Sequence, residues 1–274
     1  MKGLTLFLLP GLLSAAAVFS DDSDFDGVED RFDRCPDTPF ELTVDADGCP
    51  DEPLPSTPEL FVSASVGITW STGKYGGDDT VESLSNEAVL ALYTGRFNAS
   101  VTGAYYYRGA YDPTVATYDG GGIADTLLTA GWLLSVSDRF DLSAGVHLKL
   151  PTAADGLGTG EADYGVSLRG TCSADGVQAF AAAGYTVTGD GETDYRDIVF
   201  GSIGSGFRLD SRSYGSVSID YSQAYSRDTE DLWSLSLYGS YDLYTTLTLR
   251  LNYSIGLSDS VADHLVSAML THYF

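Results

Sequence analysis

From residue 59 onward the chain alternates between apolar and polar residues. Phe140, Leu142, Ala144, Val146, Leu148 and Leu150 are separated by Asp141, Ser143, Gly145, His147 and Lys149. Leu247, Leu249, Leu251, Tyr253, Ile255 and Leu257 alternate with Thr248, Arg250, Asn252, Ser254 and Gly256. Val62, Ala64, Val66, Ile68 and Trp70 alternate in the same way with Ser63, Ser65, Gly67, Thr69 and Ser71. A period of two sends successive side chains to opposite faces of an extended strand. The pattern predicts twelve strands, near 60–71, 87–94, 97–108, 123–136, 140–150, 163–173, 177–187, 198–209, 214–225, 232–242, 246–257 and 264–274. Their connections alternate as well. Short ones fall at 95–96, 137–139, 174–176, 210–213 and 243–245, and longer ones at 72–86, 109–122, 151–162, 188–197, 226–231 and 258–263.

Strands of about 10–11 residues are long for a soluble sheet and suit a tilted crossing of a bilayer. An even count, with short turns and long loops in strict alternation, predicts an all-β fold: a transmembrane antiparallel up-and-down β-barrel of about 12 strands. With the first strand running outward, Trp70, Tyr107, Tyr164, Tyr185 and Trp233 fall at external strand ends. Phe97, Phe140, Phe207, Tyr241 and Phe274 then fall at periplasmic ends, so one choice of direction yields two aromatic girdles. The same register sends Asp125, His147, Lys149, Arg169, Arg208, Asp220, Tyr238, Arg250 and Asn252 into the lumen. A charge facing lipid would cost about 2–4 kcal/mol at the midplane. Twelve strands are expected to leave a narrow lumen, in which Arg250 and Asp220, placed near mid-height, bridge the interior. Two readings follow: a constriction that selects small solutes, or ion pairs that only fill space.

Composition adds an address and an exclusion. The 274 residues are 43% hydrophobic with a mean hydropathy of -0.02, too apolar for a mainly disordered chain. The net charge of -25, with 14 Lys and Arg against 39 Asp and Glu, excludes nucleic-acid binding. Residues 1–20, MKGLTLFLLPGLLSAAAVFS, have the charged start, apolar run and small-residue cleavage site of an export signal peptide. Residues 53–58, PLPSTP, read as a Pro-rich linker to a barrel over 59–274.

Residues 21–52 carry 13 acidic residues against Arg31 and Arg34. Asp22, Asp24, Asp26, Gly27, Val28, Asp30 and Asp33 occupy positions 1, 3, 5, 6, 7, 9 and 12 of a twelve-residue calcium loop. Oxygen donors at that spacing suit a hard cation, with the Val28 carbonyl at position 7 and Gly27 permitting the sharp turn. Asp33 replaces the usual Glu, and helical flanks are absent, so the loop is not an EF-hand. Cys35 and Cys49 are expected to pair in an oxidising compartment, and Cys172 reads as a small apolar strand residue. The run DSDFDGVEDRFDRCPDTP followed by VDADGCPD resembles the thrombospondin type 3 repeats of OmpA-like outer-membrane proteins. That resemblance implies a second, truncated calcium loop beginning at Asp45 and Asp47, and calcium as the bound ion.

Residues 148–165, LKLPTAADGLGTGEADYG, and the lead GGGIADTLL resemble the outer-membrane family associated with the meta-pathway of phenol degradation. The resemblance implies uptake of small, aromatic or apolar compounds and does not imply an enzyme. The C-terminal strand, with Val266, Ala268, Leu270 and Phe274 in register, resembles the signal read by the outer-membrane assembly machinery. Outer-membrane lipid and lipopolysaccharide are the other expected partners, with both the acidic segment and the C-terminus in the periplasm. The chain is expected to act as a monomer or as an oligomer of undetermined order. The expected function is a passive channel for small molecules. The alternatives are a closed structural anchor whose acidic segment contacts peptidoglycan or a periplasmic partner and, remotely, a barrel hydrolase using Asp263 and His264 with Asp78 and Asp79.

Overall fold

The computed structural model describes residues 33–35, 47–49, 60–75, 80–110, 118–137, 139–154, 157–158, 160–174, 176–189, 195–210, 212–226 and 229–274. The expected signal peptide, the linker 53–58, and Asp22, Asp24, Asp26, Val28, Asp30 and Asp45 lie outside the described residues.

The strands are β1 (Leu60–Gly73), β2 (Val81–Thr94), β3 (Phe97–Ala110), β4 (Tyr118–Ile123), β5 (Thr126–Ser137), β6 (Phe140–Leu150), β7 (Asp163–Ala174), β8 (Val177–Val187), β9 (Ile198–Asp210), β10 (Ser213–Ser222), β11 (Leu232–Tyr244), β12 (Leu247–Gly256) and β13 (His264–Tyr273). Strands pair antiparallel with their chain neighbours, β4 and β5 both lying against β3. β1 also pairs with β13, from Ser63 opposite Tyr273 to Thr72 opposite His264, which closes the sheet. The result is a closed barrel of twelve wall positions, because β4 and β5 form one interrupted wall strand.

That interruption has a register explanation. Ile123 pairs with Tyr105 and Leu127 with Thr102, so four steps on one strand face three on the other. The extra residue is a bulge at Ala124–Asp125, and it breaks the single strand expected at 123–136 into two. β2 also departs from expectation, beginning at Val81 rather than 87. Its first turn-like residues, Glu82, Ser83, Ser85 and Asn86, are polar on both faces, which hides the alternation. Ser83 and Ser85 are nevertheless buried inside, and Leu84 pairs with Trp70 on the outside. The loop expected at 72–86 is correspondingly shorter.

The apolar rows face out. Val66, Ile68, Leu90, Trp132, Val166, Ile203, Leu237 and Leu251 are exposed, an arrangement that suits lipid and would be unfavourable in water. Trp70, Tyr107, Tyr164, Tyr185 and Trp233 are exposed at the long-loop end, and Phe140, Phe207, Tyr241 and Phe274 at the short-turn end. Phe97 packs on Trp132, ring centroids 6.3 Å apart. At the long-loop end the outward phenols are anchored, Tyr185 donating to Asp197 and Tyr221 to Asp231. Short turns close tightly: Gly95, at φ 52°, supplies the left-handed residue of the two-residue Gly95–Arg96 hairpin.

Inside, three aromatic rings lie flat on the wall. A Cβ at Gly184 would fall 2.1 Å from the Phe200 ring, one at Gly204 2.4 Å from Phe180, and one at Gly206 1.8 Å from the Tyr214 hydroxyl. Glycine on the facing strand lets each ring settle against backbone instead of projecting across the lumen.

Candidate functional site

The inward face is polar along most of its height. Ser63, Ser65, Thr69, Ser71, Ser83, Ser85, Thr186, Ser234, Thr248 and Thr271 are all buried there. Their hydroxyls bond across strands, as in Ser65 with Thr271 at 2.9 Å, Ser100 with Thr129 at 2.7 Å and Ser236 with Ser254 at 2.9 Å. A water-soluble sheet protein would bury its apolar rows; here the hydroxyl rows are inside.

Near the long loops, Lys149 on β6 forms a charge cluster. Its Nζ lies 2.5 Å from Asp163 on β7 and 3.5 Å from Asp125 at the bulge. Asp163 is only 1% exposed, so this ion pair compensates a desolvated carboxylate. The same carboxylates hold loops: the Ala153 amide donates to Asp125 at 2.9 Å and the Gly189 amide to Asp163 at 3.0 Å. His147, one inward position below Lys149, bonds Thr186 through Nε2 at 2.9 Å. Leu157 and Ala154 of the long β6–β7 loop pack where a Cβ on Gly122 would lie, 2.7 and 2.8 Å away.

A second network joins two long loops above this cluster. Arg196 donates from Nε to the Ala224 carbonyl at 2.5 Å and pairs with Asp231, whose carboxylate also accepts from Tyr221 at 2.8 Å and the Ala224 amide at 3.2 Å. Burial pushes the Asp231 carboxyl up, but the Tyr221, Ala224 and Arg196 donors together hold it below the usual carboxylate value. Asp197 is likewise lowered, by Tyr185 first and the Thr188 amide second. Tyr225 stacks edge-on against Tyr195, centroids 5.9 Å apart. Burial, then the charges of Asp163 and Asp125, push the Tyr225 phenol well above the ordinary tyrosine value, so it stays neutral. Tyr75, at φ 50° and 2% exposed, folds back on Ser71 with its hydroxyl 3.0 Å from Oγ. These side chains narrow the long-loop mouth.

Toward the short turns the lining changes to arginine and aromatic residues. Arg250 on β12 donates to the Tyr273 hydroxyl at 2.8 Å and lies among Tyr273, Tyr238 and Tyr93. Tyr214 donates to Gln178 at 3.2 Å and its ring stands 6.0 Å from that of Tyr238. The Arg169 guanidinium sits 4.2 Å above the Phe180 ring. Phe61, Ala91, Tyr93 and Tyr273 form a small buried apolar cluster at this end.

The pairing register places Asp125, His147, Lys149, Arg169, Arg208, Asp220, Tyr238, Arg250 and Asn252 on the inward face. Lys149 joins Asp125, whereas Arg250 and Asp220 do not meet. Their partners on β11 are Ser240 and Ser234, six residues and about 20 Å apart along the strand. Asp220 instead accepts from Ser218 at 3.1 Å, and Asn252 donates to Ser254 at 3.1 Å. Sequence reasoning missed Asp163, although it shares strand parity with Arg169. It also missed Tyr93 and Tyr273, because choosing inward residues by polarity passes over aromatics that line the interior.

Of the acidic segment, Asp33, Arg34, Cys35, Asp47, Gly48 and Cys49 are described. Cys35 and Cys49 are joined by a disulfide, S–S 2.05 Å. Arg34 binds Asp47 twice, through its amide to the carbonyl at 2.7 Å and through Nη1 to the carboxylate at 3.2 Å. Cys35 donates its amide to Asp33 at 2.7 Å. Among the described residues no group of three or more His, Cys, Asp and Glu side chains converges as a metal site. Cys172 faces outward and is exposed. His264 and His272 also face outward, His264 bonding the Tyr253 hydroxyl at 3.0 Å and His272 packing on Phe274.

No protein-family profile matches the chain. Over 29 residues it is 69% identical to outer membrane porin F of Pseudomonas aeruginosa, a match spanning 11% of this chain and 8% of that protein's length. In three dimensions it is similar to the COG4313 outer membrane channel of Pseudomonas putida F1, with a TM-score of 0.61 at 16% identity over 81% of this chain and 97% of that one. The KdgM porin aligns with a TM-score of 0.49 at 11% identity, covering 77% of this chain and 99% of the porin. The fold is that of an outer-membrane β-barrel.

Proposed function

We propose that this protein is a bacterial outer-membrane channel through which small solutes pass passively. The observation that carries this reading is the inversion of the sheet: apolar rows face out on every side while serine, threonine and charged rows face a shared interior. Hydroxyl and charged rows facing a shared interior suit a hydrated path for small solutes. The long loops lie outside the cell and the short turns, β1's start and the C-terminal strand face the periplasm, the arrangement of outer-membrane barrels. The wall contacts lipid and lipopolysaccharide, and the strand ending in Phe274 is read by the assembly machinery.

Calcium bound by residues 22–33, with a second truncated loop at Asp45 and Asp47, belongs to the same proposal. Hard carboxylate oxygens at alternating positions are the donor set that this ion takes, and the Cys35–Cys49 disulfide holds the two loops together. After export, signal-peptide removal would leave this segment in the periplasm, tethered by residues 53–58.

Liposome swelling tests the channel. Proteoliposomes carrying the refolded chain should swell in small solutes and slow as solute size rises; rates equal to protein-free liposomes would favour the anchor. One observation speaks for that second reading: Phe61, Ala91, Tyr93 and Tyr273 pack together at the short-turn end of the lumen.

A further inference from the structure

The two ends of the barrel differ in charge. The six long connections hold 14 Asp and Glu against Lys74, Arg196 and Arg227. The five short turns have two residues each, at 95–96, 138–139, 175–176, 211–212 and 245–246. Three of these ten residues are arginine, although the whole chain has only 14 Lys and Arg. Against them stand Asp138 and Asp175.

All three arginines occupy the same place, the second residue of the turn. There the backbone carbonyl accepts an amide from the neighbouring hairpin: Arg96 from Leu133 at 2.8 Å, Arg139 from Ser173 at 2.9 Å and Arg212 from Asp242 at 2.9 Å. This bond holds the turn backbone at the rim, and each arginine is exposed. None of the three forms an ion pair among the described residues. Two nearby carboxylates have other donors: Asp210 accepts the Arg212 amide at 2.7 Å and Ser213 at 2.8 Å, and Asp242 accepts Thr248 at 2.6 Å. Aromatic rings mark the level just inside the turns. Phe97 and Phe140 directly follow Arg96 and Arg139, and Tyr241 pairs with Ser213, next to Arg212. Girdle rings sit at the membrane interface, so guanidinium groups one residue beyond them lie among headgroup phosphates. A guanidinium meets phosphate both by charge and by a paired N–H fork.

We infer that Arg96, Arg139 and Arg212 form a belt that binds the headgroup phosphates of anionic phospholipid around the short-turn rim. The acidic long-loop end repels the same headgroups, so the preference belongs to one end of the barrel. The inference rests on the proposed orientation, with the short turns toward the periplasmic, phospholipid leaflet, and not on conduction.

Quenching of tryptophan fluorescence by brominated lipid tests the belt in the refolded full chain. Trp70→Phe with Trp233→Phe leaves Trp132, whose ring lies 6.3 Å from Phe97, as the reporter of the short-turn end. Trp132→Phe leaves the two reporters of the long-loop end. In dioleoylphosphatidylcholine bilayers, brominated phosphatidylglycerol should bind at Trp132 roughly threefold or more tightly than brominated phosphatidylcholine. No such preference should appear at the long-loop end. Arg96→Gln with Arg139→Gln should bring the Trp132 preference close to unity, and the two lysine substitutions should keep most of it. Phe207→Trp, in a background without other tryptophans, reads Arg212→Gln in the same way. Molar salt should abolish the preference with every arginine in place, a check that no misfolded variant can obscure. Equal binding of the two lipids at Trp132, a preference that survives in the folded glutamine variant, or an equal preference at both ends would overturn the belt. Labelling of Thr245→Cys, in a Cys172→Ser background, by an impermeant maleimide on intact cells would reject the orientation alone and leave the bilayer result standing.

Discussion

At the scale of the residue, Lys149 organises the long-loop mouth. It neutralises Asp163 and Asp125, and these carboxylates in turn hold the amides of Gly189 and Ala153. Lys149→Met should therefore destabilise the barrel by about 3 kcal/mol, because it leaves a buried carboxylate without its cation. Urea unfolding followed by tryptophan fluorescence measures this, and the companion substitution Asp163→Asn should recover part of the loss. The loop latch makes a pH prediction. Asp231 and Asp197 have carboxyls held below the ordinary value of about 3.9, so their stabilisation is complete above that value. It is lost only as pH falls through their lowered folded-state values. Protease resistance of the loops at 188–197 and 223–231 should accordingly hold from neutral pH down to the carboxylate range and fall below it. Asp231→Asn should loosen the loops already at neutral pH and flatten that dependence.

At the scale of the element, the glycines opposite aromatic rings set the bore. A side chain at Gly184 must displace Phe200 from the wall, since its Cβ would lie 2.1 Å from the ring. Gly184→Val should cost about 1–3 kcal/mol by overpacking. It should also lower the single-channel current, as Phe200 swings into the lumen. The strands themselves were legible from period two wherever one face is apolar, as in β6, β12 and β13. They were not legible over 81–86, where Ser83 and Ser85 occupy one face and Glu82 and Asn86 the other, a composition shared with loops. The bulge at Ala124–Asp125 was invisible for a different reason, since one extra residue shifts register without altering composition. Inward charges were readable by parity, but their heights were not. The partners of Arg250 and Asp220 on β11 differ by six residues, an offset set by the stagger between neighbouring strands. The aromatic lining went unread because Tyr93 and Tyr273 carry the same letters as lipid-facing girdle residues.

At the scale of the whole molecule, the net charge of -25 belongs to separate places. Residues 21–52 contribute 13 acidic and 2 basic residues, -11 in total, within the proposed calcium segment. Adding millimolar calcium should alter the circular dichroism of the chain and slow proteolysis within residues 21–52; no change in either would remove calcium from the account. The lumen is charged differently, acidic with one lysine near the long loops and arginine-rich near the short turns. A mean hydropathy near zero thus averages an apolar exterior and a polar interior. The most direct test of the central claim is single-channel recording of the refolded full chain in a planar bilayer under a salt gradient. The account predicts discrete conductance steps. A correctly folded barrel that stays electrically silent in every salt would contradict it.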